Sequence, residues 1–193
     1  MSLVINFIGG PGCGKSVTAA RLFVDLKTNT KGLKIEYLQE YVKPLVWKIQ
    51  SGDPHFTEAA EEALNNQRQI ANEIYQILKI MAKSNLDIII TDGTIFHGIY
   101  YNKVNPGNTS DPVKTEKFIL EKFKEFNNFN ILVKRGDLEY EQEGRQQNYH
   151  EAREVDKGLE KALNDNQIPY MILNIHDSAN YQQILSDIMN MMA

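Results

Sequence analysis

Gly9, four residues, and then Gly14-Lys15-Ser16 form the stretch of this chain whose residue types and spacing point most directly to chemistry. A polyphosphate needs many hydrogen-bond donors at once, and glycines let backbone N–H groups turn toward its oxygens and approach closely. The backbone of Gly9, Gly12, Cys13, Gly14, Lys15, Ser16 and Val17 is therefore expected to surround the phosphates of a nucleotide such as ATP. Lys15 is placed to reach the β- and γ-phosphates, and the Ser16 hydroxyl to ligate the Mg²⁺ that bridges them. A helix opening at Lys15 adds its positive end. Cys13 fills one of the unspecified loop places as a small residue.

The phosphoryl group held there goes either to water or to a second molecule. Asp92 stands at the end of "IIITDG", where a strand would deliver it to the carboxyl edge of a sheet, and it is the second candidate metal residue. Translocating ATPases follow this aspartate with a glutamate that polarises water; here Gly93 follows, which weighs against hydrolysis. The guanine-reading Asn-Lys-x-Asp element is also missing, since Asn102-Lys103-Val104-Asn105 lacks the aspartate. Transfer to an alcohol needs a carboxylate near the γ-phosphate, and Glu40 in "IEYLQEYVKP" lies just past a strand and before the helix opened by Pro44. Charge developing on the transferred group must be met by cations in a dry site. Arg135, Arg145 and Arg153 follow a further strand and are expected in a lid over the nucleotide at about residues 136–153, with Arg145 foremost.

Short apolar runs at Leu3–Ile8, Ile35–Leu38, Leu86–Ile90, Phe129–Val133 and Tyr170–Ile175, separated by helical patterns, predict an α/β fold. A five-stranded, mostly parallel sheet with helices on both faces follows. One long helix is expected from about Phe56 to Lys83, carrying Gln67 and Arg68 in its middle, facing either solvent or the open end of the cleft. The turn-rich Asn102–Pro112 segment is expected as an exposed loop. Trp47, Phe96, Tyr100 and Tyr101 flank the candidate cleft segments and either stack on a planar base or belong to the core. His55, His97 and His150 lack metal-ligand spacing and read as ordinary side chains.

The 193 residues suffice for one buried core, which makes residues 1–193 a single domain with its lid. A net charge of -4 disfavours nucleic acid as a partner, and no apolar run is long enough to span a bilayer. With one cysteine and no apolar leader behind a basic start, the chain reads as a protein of a reducing compartment, the cytoplasm.

"GGPGCGKS", "EY" after strand two, "TDG" after strand three and "YEQEGRQQ" with a later "EA" and aspartate occur in the order found in P-loop nucleoside and nucleotide kinases. The chain resembles that superfamily over about Leu3 to Ile175, and within it the small kinase-like ATP-binding proteins of tailed phages and nicotinamide riboside kinase-type domains. The resemblance implies a P-loop NTPase fold and transfer of the γ-phosphoryl of Mg-ATP to a nucleoside- or nucleotide-like small molecule, in host cytoplasm for a phage protein. It implies Gly12, Gly14, Lys15 and Ser16 on phosphate and Mg²⁺, Asp92 near the metal, Glu40 as base, and Arg145 with Arg153 in the lid. Deoxynucleoside kinases carry a glutamine under the acceptor base, which matches Gln67, with Arg68 beside it on the substrate side. They usually place an arginine after the strand-three acid, where this chain has Gly93. A hydroxymethylated base in DNA is a further acceptor the resemblance suggests. The alternatives are a nucleoside-triphosphate hydrolase and a non-catalytic module that changes partners on binding ATP. The adenine is expected near His176 and Asp177.

Overall fold

The computed structural model describes residues 1–137 and 139–192. Its centre is β1 (Leu3–Ile8), buried along its whole length, as a continuous apolar run in a sheet covered on both faces must be. Around it stand β2 (Ile35–Leu38), β3 (Ile88–Asp92), β4 (Asn127–Lys134) and β5 (Met171–Asn174), in the order β2-β3-β1-β4-β5. Every pairing is parallel, so the sheet is parallel throughout rather than mostly so.

Alternate residues of β1 feed two cores. Leu3, Ile5 and Phe7 pack with α1 (Lys15–Asn29) and α8 (Ser178–Met192) on one face. Ile8 faces the other side, with α4 (Gln67–Lys83), α5 (His97–Val104), α6 (Pro112–Phe123) and α7 (Tyr149–Asp165). Between them Asn6 is fully buried, its amide donating to Asn128 and Asn130 and its carbonyl accepting from Thr91, so this polar residue in an apolar strand is satisfied across the sheet. The short helices α2 (Lys43–Gln50) and α3 (Pro54–Asn65) pack with α4 through Val46, Leu64 and Ile70 and wall off one end of the molecule.

Two expectations are corrected. The helix predicted from Phe56 to Lys83 is two helices, α3 and α4, broken at Asn66, whose side chain accepts from the Gln69 N–H at 3.0 Å and so caps the second. Apolar periodicity runs through the break because both helices face the same core. The stretch from Asn102 to Pro112 is not wholly exposed: Asn102 is buried in α5, donates to Pro112 O at 2.8 Å and accepts from Asn108. Its asparagines satisfy one another, which lets a polar segment turn inward. Among the described residues no helix is long and apolar enough to cross a membrane.

Candidate active site

Parallel pairing puts the carboxyl ends of β1, β2 and β3 side by side, with Phe7 opposite Asp92, and the residues beyond those ends form the site. The loop after β1 turns directly into α1, and the buried Lys15 sends its Nζ back to the Gly10 carbonyl at 2.9 Å. Burial works against this ammonium, but Cys13 and the carboxylates of Glu40, Asp92 and Asp156 around it outweigh that effect and raise its pKa. Burial raises the pKa of the Cys13 thiol, and the Lys15 charge opposes that rise. Ser16 and the backbone of Val17 open the helix at the cleft wall.

Three outside elements fix this loop. Asp156 on α7 accepts from the Gly10 N–H at 2.6 Å and from Arg135 Nε at 2.8 Å, and Arg135 Nη2 donates to Pro11 O at 2.7 Å. A Cβ on Gly10 would stand 2.6 Å from Ala152 O, so the second glycine of the run serves the close approach of α7 rather than the phosphates. His97 bridges two loops: Nε2 lies 3.1 Å from Gly9 O, and Nδ1 accepts from the Thr94 N–H at 3.0 Å. Burial and the Lys15 charge push its pKa down to about 4, so the ring bridging them is neutral. Tyr140, from the lid segment, lays its ring on Gly12, where a Cβ would come within 2.8 Å.

Asp92 is 5% exposed, and its Oδ1 is buried without a hydrogen-bond partner among the described residues. An orphaned carboxylate oxygen beside a phosphate loop fits a cation shared with the phosphates. No group of three or more His, Cys, Asp or Glu capable of holding a metal occurs among the described residues, so beyond Asp92 and the Ser16 hydroxyl such an ion would draw its ligands from nucleotide and water. Burial and then Asp92 also raise the pKa of Tyr37. Glu40 lies against Gly93, near Lys15 and Asp92; burial raises its pKa, Lys15 opposes that rise and Asp92 adds to it. Gly93 has φ +93, so an arginine there would sit on a strained left-handed backbone, with its Cβ in van der Waals contact with the Glu40 side chain.

One cleft of about 1230 Å³ runs from the P-loop past Glu40 to Gln67, Ile70 and Ile74, with Tyr100, Tyr101 and Arg145 also on its walls. Gln67, 5% exposed, is turned into it by the break at Asn66 and donates to Leu64 O at 2.8 Å. Arg145 is enclosed, its side chain 17% exposed, its Nη1 buried without a partner among the described residues, and its guanidinium 5.0 Å from the Tyr140 ring.

Several predicted residues stand elsewhere. Arg68 points away from the cleft, stacks on Phe118 at 3.5 Å and donates to Lys114 O; one step along α4 from Gln67 is a rotation onto the outer face. Arg153 is exposed on α7 and outside the cleft, because Ala152, Val155 and Leu159 are the residues that face inward. Phe96 is core, packed on Phe123, and Trp47 is half exposed beside Gly144. His176 accepts from the Asp137 N–H at 3.3 Å, at the foot of the lid. Sequence reasoning gave His97 no part, and it carried Tyr140 and Asp156 only as letters of the lid pattern, without the contacts they make with Gly12 and Gly10.

No curated protein matches the chain in sequence. In fold it is similar to deoxyadenosine kinase from M. mycoides, solved with dCMP and a flexible dCDP, at a TM-score of 0.54 and 17% identity over 100% of this chain and 98% of that one. It is also similar to the YorR protein of Bacillus subtilis in complex with phosphorylated GDP, at a TM-score of 0.50 and 17% identity over 99% of this chain and 95% of that one. The family model described as an AAA domain matches residues 4–183. Since that match runs from the first strand into the last helix, the chain belongs to the AAA-domain family, in the fold of the P-loop nucleotide kinases.

Proposed function

We propose that this protein is a kinase that transfers the γ-phosphoryl group of Mg-ATP to a hydroxyl of a small nucleoside-like acceptor. The observation that carries the proposal is Glu40: a carboxylate with a raised pKa, set between the P-loop lysine and a cleft large enough for a second ligand. Lys15, the backbone of Gly12 to Val17 and Arg145 bind the phosphates, and Ser16 with Asp92 would hold Mg²⁺, which supplies charge neutralisation on the β- and γ-phosphates. Glu40 accepts the proton of the attacking hydroxyl. Gln67 lies at the far end of the cleft, where the acceptor's planar part would rest between apolar walls.

Charge favours a hydroxyl over a phosphate as the accepting group. Lys15, Lys43 and Arg145 line the cleft, but the wall from Leu64 through Gln67 to Ile77 carries no cation, and Glu139, Glu141, Glu151 and Glu154 surround the opening. An acceptor bringing its own phosphate, or a nucleic-acid backbone, would find no cation on that wall to meet it.

The test is ADP release from Mg-ATP with nucleosides, nucleoside monophosphates, nicotinamide riboside and hydroxymethyl-base DNA, for wild type and Glu40→Gln. A nucleoside-like acceptor is expected to raise turnover, and Glu40→Gln to remove about 10²- to 10⁴-fold of that rise. The wild-type rate should climb with pH through a pKa above the ordinary glutamate range, since the base works ionised. Stability takes the opposite sign. A carboxyl pKa raised by folding contributes stability that is full below the unfolded pKa and is lost as pH rises through the folded one, so Glu40→Gln should melt higher than wild type at pH 8. ADP release equal with and without acceptor would make the protein a hydrolase, and ATP binding with no ADP would make it a nucleotide-responsive binding module.

A further inference from the structure

Arg145 is a lid residue, held within the lid by Gln142, Glu141 and Tyr140, yet part of what holds it comes from the acceptor side of the cleft. Gln142, Glu143, Gly144 and Arg145 form a turn closed by the Arg145 N–H donating to Gln142 O at 3.1 Å, with Gly144 at φ +72 in its third place. Gln50, the last residue of α2, reaches this turn with both ends of its amide. Its Oε1 accepts from the Gly144 N–H at 2.7 Å and its Nε2 donates to Arg145 O at 3.1 Å. Only this orientation of the amide satisfies both peptide groups, so the side chain fits the turn as a matched donor and acceptor. The indole of Trp47, one turn earlier on α2, lies against Gly144 and leaves no room for a side chain there. Lys43 and Val46 of the same helix, with Tyr41 and Val42 before it, line the cleft. The outcome is an enclosed guanidinium whose Nη1 lacks a partner among the described residues.

We propose that Gln50 is a positioning residue that fixes Arg145 over the transferring phosphoryl group, so that the helix lining the acceptor end sets the lid arginine. Occupancy of the acceptor end and placement of the cation are thereby linked through one side chain. The proposal rests on the kinase reading for the role of Arg145.

The chain has a single tryptophan, and it stands at this contact, so Trp47 fluorescence reports the clasp without any substrate. Gln50→Ala should shift Trp47 emission to the red and raise its quenching by acrylamide, while far-UV circular dichroism stays that of wild type. With Mg-ATP and the acceptor panel above, Gln50→Ala should lower kcat about tenfold and leave KM for ATP unchanged, because the misplacement is felt at the transferring group. Arg145→Ala should lower kcat about 10²- to 10³-fold, and the double variant should be no worse than Arg145→Ala alone. Unchanged Trp47 emission and quenching in Gln50→Ala, or losses that multiply in the double variant, would overturn the part given to Gln50 alone. Full activity in Arg145→Ala would overturn the proposal together with the role of Arg145.

Discussion

The P-loop and the lid face each other across the same cleft, and they are held by different means. The P-loop grows out of a wholly buried strand and is braced from three sides, by Asp156 with Arg135, by His97, and by the Tyr140 ring. The turn carrying Arg145 leans on one helix through Gln50 and Trp47, and otherwise on hydrogen bonds within the lid, from Gln142 Nε2 to the carbonyls of Arg145 and Gln147 and from Tyr140 to Gln147. A preformed cradle binds phosphate without first paying an ordering cost, whereas a cation held by few contacts can be set by whatever occupies the neighbouring helix. On the proposed kinase reading, this difference would give phosphate binding to one wall and control to the other.

Three variants would break or sharpen that contrast. The largest effect is expected from Lys15→Ala, which removes the buried cation of the cradle: phosphoryl transfer should fall by about 10³-fold or more, read as ADP release. Next comes Asp156→Asn, which weakens the tie from α7 to Gly10 and Arg135; a loss of about 1–3 kcal/mol in urea unfolding is expected, with weaker ATP binding. Unaltered stability there would mean that the cradle does not need its outside braces. The smallest belongs to Arg153→Ala, on the outer side of α7, which should leave turnover and stability within about 0.5 kcal/mol of wild type. A large loss of turnover would return Arg153 to the lid cations and undo the reading of Arg145.

How much of this was legible in the sequence follows the range of the interactions. The P-loop is local, eight residues whose spacing is dictated by one ligand, and the strands that frame it are apolar runs that need no partner to be recognised. Glu40 and Asp92 follow from strand ends, and β3, which begins at Ile88 rather than Leu86, does end on Asp92. The break at Asn66 escaped notice because a hydrophobic stripe is blind to a change of helix that preserves its face, and an Asn-Asn pair was the only mark of it. Arg135, Arg145 and Arg153 were indistinguishable as types. What separates them is Asp156 for the first, Gln50 and Tyr140 for the second and nothing for the third among the described residues, all of it long-range or a matter of helix rotation. His97 was read as ordinary because spacing among histidines says nothing about a ring nitrogen meeting the backbone of a distant glycine.

The position of β1 at the middle of the sheet also governs the order in which the molecule can be built. Leu3 pairs with Ile88 on one side and with Asn127 on the other, so β1 has no hydrogen-bonded neighbour until at least Ile88 has followed it. Pairings of such separation are slow to form, since the intervening loop must be closed before any contact rewards it. The cradle's brace arrives later still, with Asp156 on α7. The loop after β1 is thus translated well before the residue that braces it, and a chain stopped short of β4 should neither fold nor hold ATP.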